Sequence, residues 1–84
     1  MQDYMLKEDF YFVNEILTHI AHKESIRIQE IYDKAIKYDK TADYMEFIQD
    51  LENDGYIIEV NEQYRFISPF LSAFWKKNNP IYNA

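Results

Sequence analysis

One spacing recurs three times in this chain and then gives way to another. Val13, Ile16, Leu17 and Ile20 fall at i, i+3, i+4 and i+7, which is one face of a helix. Ile28, Ile31, Tyr32 and Ala35 repeat it, and Tyr44, Phe47, Ile48 and Leu51 repeat it again. After Gly55 the period drops to two: Tyr56, Ile58 and Val60 point one way, Ile57 and Glu59 the other. A chain so patterned must stack three helices and then lay strands beside them.

The boundaries follow from local chemistry. The first face predicts a helix over about 8–22, with Phe10 and Ala21 extending its apolar side. Residues 25–28 are β-friendly and leave room for a stub strand. A second helix is expected over about 28–38, and a third from the N-cap candidate Thr41 to about residue 54. Gly55, the single glycine, can take the left-handed conformation that ends a helix. Two strands joined at Asn61-Glu62-Gln63 make a hairpin, although no Asn-Gly pair marks its turn. Ser68-Pro69 supplies an N-cap and a proline at the first helical position. A short fourth helix then carries Leu71, Phe74 and Trp75 toward Lys76 and Lys77.

The order helix, stub strand, helix, helix, strand, strand, helix predicts an α+β winged helix-turn-helix. It has a three-helix core, a wing of two to three strands and a short C-terminal helix. With 84 residues the chain holds one domain, 1–84. Its ordered core is expected over about 8–77, with 1–7 and 78–84 frayed. The aromatic content is high: eight Tyr, six Phe and one Trp. Phe66, Phe70, Phe74 and Trp75 are expected to close the core, with the fourth helix under the hairpin. Tyr11, Phe12, Tyr38, Tyr56, Tyr64 and Tyr82 are not placed by pattern. They suit either half-buried positions or a Tyr-rich protein contact such as a homodimer.

Composition narrows the function. With no cysteine, disulfides and thiol chemistry are excluded. No apolar run approaches membrane-spanning length, and the first 25 residues lack the basic start and apolar stretch of a secretory signal. A cytoplasmic domain is expected. A phosphate-cradling loop needs at least two glycines, and this chain has one. Ser25, Ser68 and Ser72 lack a Gly-rich nucleophile turn. No catalysis and no cofactor are expected. Glu15, His19 and His22 could share a helix face, but that spacing alone is a weak metal signal, and no metal is assigned.

A helix that reads DNA in the major groove needs Arg, Lys, Asn or Gln outward. From Thr41 to Asp54 there are five carboxylates and no Lys or Arg, and Gln49 is a base-reading type at mid-helix. Phosphates would repel that surface. The formal net charge of the whole chain is −6. The acidic run is either a solvated face or a docking surface for a basic protein, with Asp43, Glu46 and Asp50 as its candidates. The alternative is a DNA-binding regulator, for which Arg27, Lys34, Lys37 and Lys40 form the nearest basic strip.

Two stretches resemble known sequences. Residues 51–57, Leu51 to Ile57, resemble the join between third helix and wing in many winged helices. Tyr64-Arg65-Phe66-Ile67-Ser68-Pro69-Phe70-Leu71, followed by Trp75-Lys76-Lys77, resembles something narrower. It is similar to the winged-helix domain after the motor in bacterial and archaeal P-loop ATPases of the AAA+/STAND-like type. The likeness covers about residues 51–77. Ile67 stands where such domains commonly carry Arg or another polar residue. The resemblance implies a non-catalytic regulatory module that packs on a motor domain or a protein partner. It also implies that Tyr64, Phe66, Pro69, Leu71 and Trp75 hold the wing to the fourth helix, with Arg65 and Ser68 completing the motif.

Overall fold

The structure is a computed structural model that describes residues 7–82. Its elements are α1 (Lys7–Lys23), β1 (Ile26–Arg27), α2 (Ile28–Lys37), α3 (Tyr44–Asn53), β2 (Ile57–Val60), β3 (Gln63–Phe66) and α4 (Pro69–Asn78). Over these described residues the fold is α+β, with four helices and one antiparallel sheet in the order β1-β3-β2. Among the described residues no helix is long and apolar enough to cross a membrane.

Each junction has an identifiable cause. The backbone N–H of Arg27 donates to Glu30 Oε1 at 2.8 Å, so a third-position glutamate reaches back over the start of α2. α3 begins two residues later than expected. Thr41 lies in a turn, and Asp43 occupies the N-cap without a side-chain bond. At its other end, Gly55 at φ 83° closes a Schellman motif. Tyr56 N–H donates to Leu51 O at 3.0 Å and Gly55 N–H to Glu52 O at 3.1 Å.

The hairpin pairs Ile57 with Phe66, Ile58 with Arg65, Glu59 with Tyr64 and Val60 with Gln63. Only Asn61 and Glu62 remain between the strands, at φ 54° and 65°. Two left-handed residues make a type I′ turn, which matches strand twist even without glycine. β1 pairs with the other side of β3, Ile26 opposite Tyr64. Ser68 Oγ accepts from Phe70 N–H at 3.1 Å and so caps α4, as the Ser-Pro pair predicts.

The core is built from Phe12, Ile16, Ile20, Ile26, Ile31, Ile48 and Ile57, all under 2% exposed. Several expectations about burial are corrected. On α1 it is Phe12 that enters the core, while Phe10 is exposed. Ile28 and Tyr32 sit at the exposed rim of the α2 face, and Ile31 and Ala35 are its buried pair. Phe70 is 85% and Phe74 60% exposed, so neither closes the core. Leu71 and Trp75, one position on, pack against it instead. α4 lies mainly along α1, with a smaller contact on β3.

Beyond α4 the chain keeps contacts with the helices, and of the ends expected to fray residues 1–6 and 83–84 lie outside the described residues. Asn79 Nδ2 donates to Trp75 O at 3.0 Å, and Tyr82 returns to α1 and α2.

Candidate functional site

Three surfaces bear on function. The first is the outer face of α3. Asp43, Glu46 and Asp50 fall at i, i+3 and i+7 and are all exposed, so they form one stripe. Gln49 is exposed beside them. Among the described residues none of the three carboxylates is held in an ion pair. The helix presents this stripe because Ile48 and Leu51 occupy its opposite, buried side.

The second is the basic strip of α2 and its flanking turn, where every cation has a carboxylate partner within the chain. Arg27 Nε lies 3.5 Å from Glu30. Lys34 Nζ donates to Glu15 Oε2 at 3.0 Å, and Lys37 Nζ to Glu15 Oε1 at 3.2 Å. Lys40 pairs with Asp9. α1 therefore supplies Glu15, which Lys34 and Lys37 share, and Asp9 for Lys40, while Arg27 is met by Glu30 of α2 itself. The structure brings Lys34 and Lys37 together on Glu15, and leaves Arg27 and Lys40 at separate pairs.

At the centre of that strip lies a polar cluster that the sequence reading did not assemble. Tyr82 accepts from Lys34 Nζ at 2.5 Å, and its hydroxyl sits 3.0 Å from His19 Nδ1. Its ring stacks on His22 and meets His19 edge-on. His22 Nε2 donates to Asn79 O at 2.5 Å. His19 Nε2 lies 3.6 Å from Glu30. Tyr38 donates to Glu15 Oε1 at 2.6 Å.

The protonation states follow from these contacts. Burial pushes the Glu15 carboxyl up, but hydrogen bonds from Tyr38 and Lys34 and the Lys34 charge outweigh it and hold it below its ordinary value. Burial lowers His19, and the Lys34 charge lowers it further, which favours the neutral ring. Burial opposes the charge on Lys34, yet its bonds to Tyr82 and Glu15 leave its affinity for the proton raised. The bond to Glu15, followed by burial, raises Tyr38 to about 12. The cluster is a set of mutually compensated charges.

The third surface joins the wing to the C-terminal helix. Tyr64 and Phe66 are buried on one face of β3, and Arg65 is exposed on the other. Trp75 Nε1 donates to Thr18 Oγ1 at 3.0 Å, and Thr18 in turn donates to Asn14 O at 2.7 Å. The tryptophan thus anchors α4 to α1, and with Leu71 it packs against the core that includes Tyr64 and Phe66. Pro69 is exposed at the start of α4.

Two of the three serines have structural partners: Ser68 caps α4, and Ser25 Oγ donates to Gln63 Oε1 at 2.6 Å. Among the described residues no group of three or more His, Asp or Glu is gathered to hold a metal ion. Arg65 and Lys76 carry no ion pair among the described residues, and both are exposed.

No family model, curated protein or solved structure matches the chain.

Proposed function

We propose that this chain is a winged-helix module without catalytic activity that docks a basic protein surface on α3. The element order supports the winged-helix reading, with α3 in the position of a recognition helix and β2–β3 as the wing. The observation that carries the function is the distribution of charge. Arg27, Lys34, Lys37 and Lys40, the cations nearest a DNA-binding role, are each engaged by a carboxylate of the same chain. Asp43, Glu46 and Asp50 remain exposed. Such a surface attracts a basic partner and repels phosphate. The resemblance of residues 51–77 to the domains that follow ATPase motors makes a motor domain the favoured class of partner, in a cytoplasmic setting.

The test is fluorescence anisotropy with a labelled peptide of alternating Lys and Ser. It should bind the wild type, weaken as salt rises, and lose binding when Asp43→Lys, Glu46→Lys and Asp50→Lys are combined. Equal binding by the triple variant would remove α3 from the account.

A further inference from the structure

The solvent face of the hairpin is apolar where an exposed sheet face is ordinarily polar. Tyr56, just before β2, and Ile58 and Val60 on it are 39%, 46% and 41% exposed. Ile67 continues this face beyond β3, its N–H donating to Tyr56 O at 3.0 Å, and it is 50% exposed. β2 is also an edge strand of the sheet. Between this face and α4 runs a cleft of about 530 Å³, with Ile58, Ile67 and Ala73 among its walls. A smaller recess of about 200 Å³ shares Glu24 and Arg65 with it and extends to Val60 near the wing tip.

The charge of the cleft opposes the charge of the protein. The chain carries 15 acidic against 9 basic residues, yet Arg65 and Lys76 line this cleft against one carboxylate, Glu24. Four of the other cations are held in pairs elsewhere. A cleft whose walls are half apolar and half polar, edged by Arg65 and Lys76, selects an occupant that is both aliphatic and acidic. We propose that it is a docking groove for an extended partner segment in which carboxylates alternate with aliphatic side chains. The aliphatic groups cover Ile58 and Ile67, and the carboxylates meet Arg65 and Lys76. A net charge of −6 opposes close approach to an anionic bilayer or a nucleic acid, and both lack the alternating aliphatic groups. The groove uses none of Asp43, Glu46 or Asp50, so it stands or falls separately from the α3 surface.

The test is a ¹⁵N-resolved NMR titration of the whole chain with an octapeptide of alternating Glu and Leu. Amide shifts should concentrate at Ile58, Arg65, Ile67 and Lys76, and an octapeptide of alternating Lys and Leu should leave them in place. Arg65→Glu and Lys76→Glu should each weaken binding about tenfold. Both side chains are exposed, so a thermal melt of each variant should match the wild type. Ile58→Asn, also at an exposed site, should weaken binding without reversing charge. Absent shifts, shifts confined to α3, an equal response to the Lys peptide, or undiminished binding by the variants would each overturn the proposal. So would a homodimer burying this face in sedimentation, or phosphatidylserine vesicles moving the same resonances more strongly than the peptide.

Discussion

Lys34 and Glu15 meet at 3.0 Å between α1 and α2, with side chains only 12% and 18% exposed. The pair explains why a lysine on the strip most favourable to DNA is directed inward. Lys34 also reaches Tyr82, and Glu15 also receives Tyr38 and Lys37. Removing one member of such a cluster leaves its partners desolvated and uncompensated.

Glu15→Gln should therefore destabilise the domain by about 2–3 kcal/mol, the scale of a charge-assisted bond in a partly buried site. Urea unfolding of wild type and variant gives the difference. A change within about 0.5 kcal/mol would show that solvent replaces the carboxylate freely.

The same cluster sets the pH range of stability. Glu15 and Glu30 have folded values below 4.5, so their contribution is present above 4.5 and is lost as pH falls through the folded values. His19 is held below 6.5, so the unfolded chain binds its proton first and stability declines from pH 6.5 downward. At the alkaline end both shifts are upward. Tyr38, with an ordinary value of 10.0, reaches about 12, and Lys34 lies above 10.5. Their stabilisation is present below pH 10 and is lost as pH rises toward 12. The melting temperature should thus form a plateau between about pH 6.5 and 10. His19→Gln should flatten the decline between 6.5 and 4.5. A melting temperature still rising above pH 10.5 would contradict these assignments.

Glu62 holds φ 65° in the hairpin turn, where an L side chain is strained and glycine is not. Glu62→Gly should stabilise the domain by about 1 kcal/mol, and thermal denaturation should show a higher midpoint. A lower midpoint would indicate that the turn is not type I′ in solution.

The fourth helix offers a paired test. Trp75 packs against the core and donates to Thr18, whereas Phe70 is 85% exposed. Trp75→Ala should cost about 3 kcal/mol, a large part of the stability of a small domain. Phe70→Ala should change stability by less than about 0.5 kcal/mol. Comparable losses in both would place α4 in a different rotation.

This rotation shows where periodicity stops being informative. Phe70 and Phe74 form one i, i+4 pair on α4, and Leu71 and Trp75 form another, one residue on. Both are apolar, so spacing alone favours neither. Thr18 selects the second by offering an acceptor to the indole N–H. Phe10 and Phe12 pose the same choice on α1, and Phe12 continues the line of Ile16 and Ile20. On α3 no such ambiguity exists: Ile48 and Leu51 have no apolar rivals on the outer face except Met45, and both are buried as expected. The acid stripe was legible for the same reason. The pairing of the basic strip was not, because Glu15 and Asp9 lie about one helix away in sequence and only tertiary packing brings them to α2. Tyr82 was illegible for another reason: it follows Pro80 in a segment without periodicity. The hairpin's alternation was legible, but both sets contain isoleucine and the alternation did not say which side is buried. The apolar set Tyr56, Ile58 and Val60 faces solvent, while Ile57 enters the core and Glu59 shares its alternation.

The claim that internal pairing removes the basic strip from nucleic-acid binding is tested most directly by titrating the protein with a random-sequence DNA duplex over a salt series. The account predicts binding weaker than about 10⁻⁴ M at physiological salt and little salt dependence. Micromolar binding with a steep negative slope in log K against log salt would contradict it, and Lys34, Lys37 and their neighbours would then have to leave their carboxylates to meet phosphate.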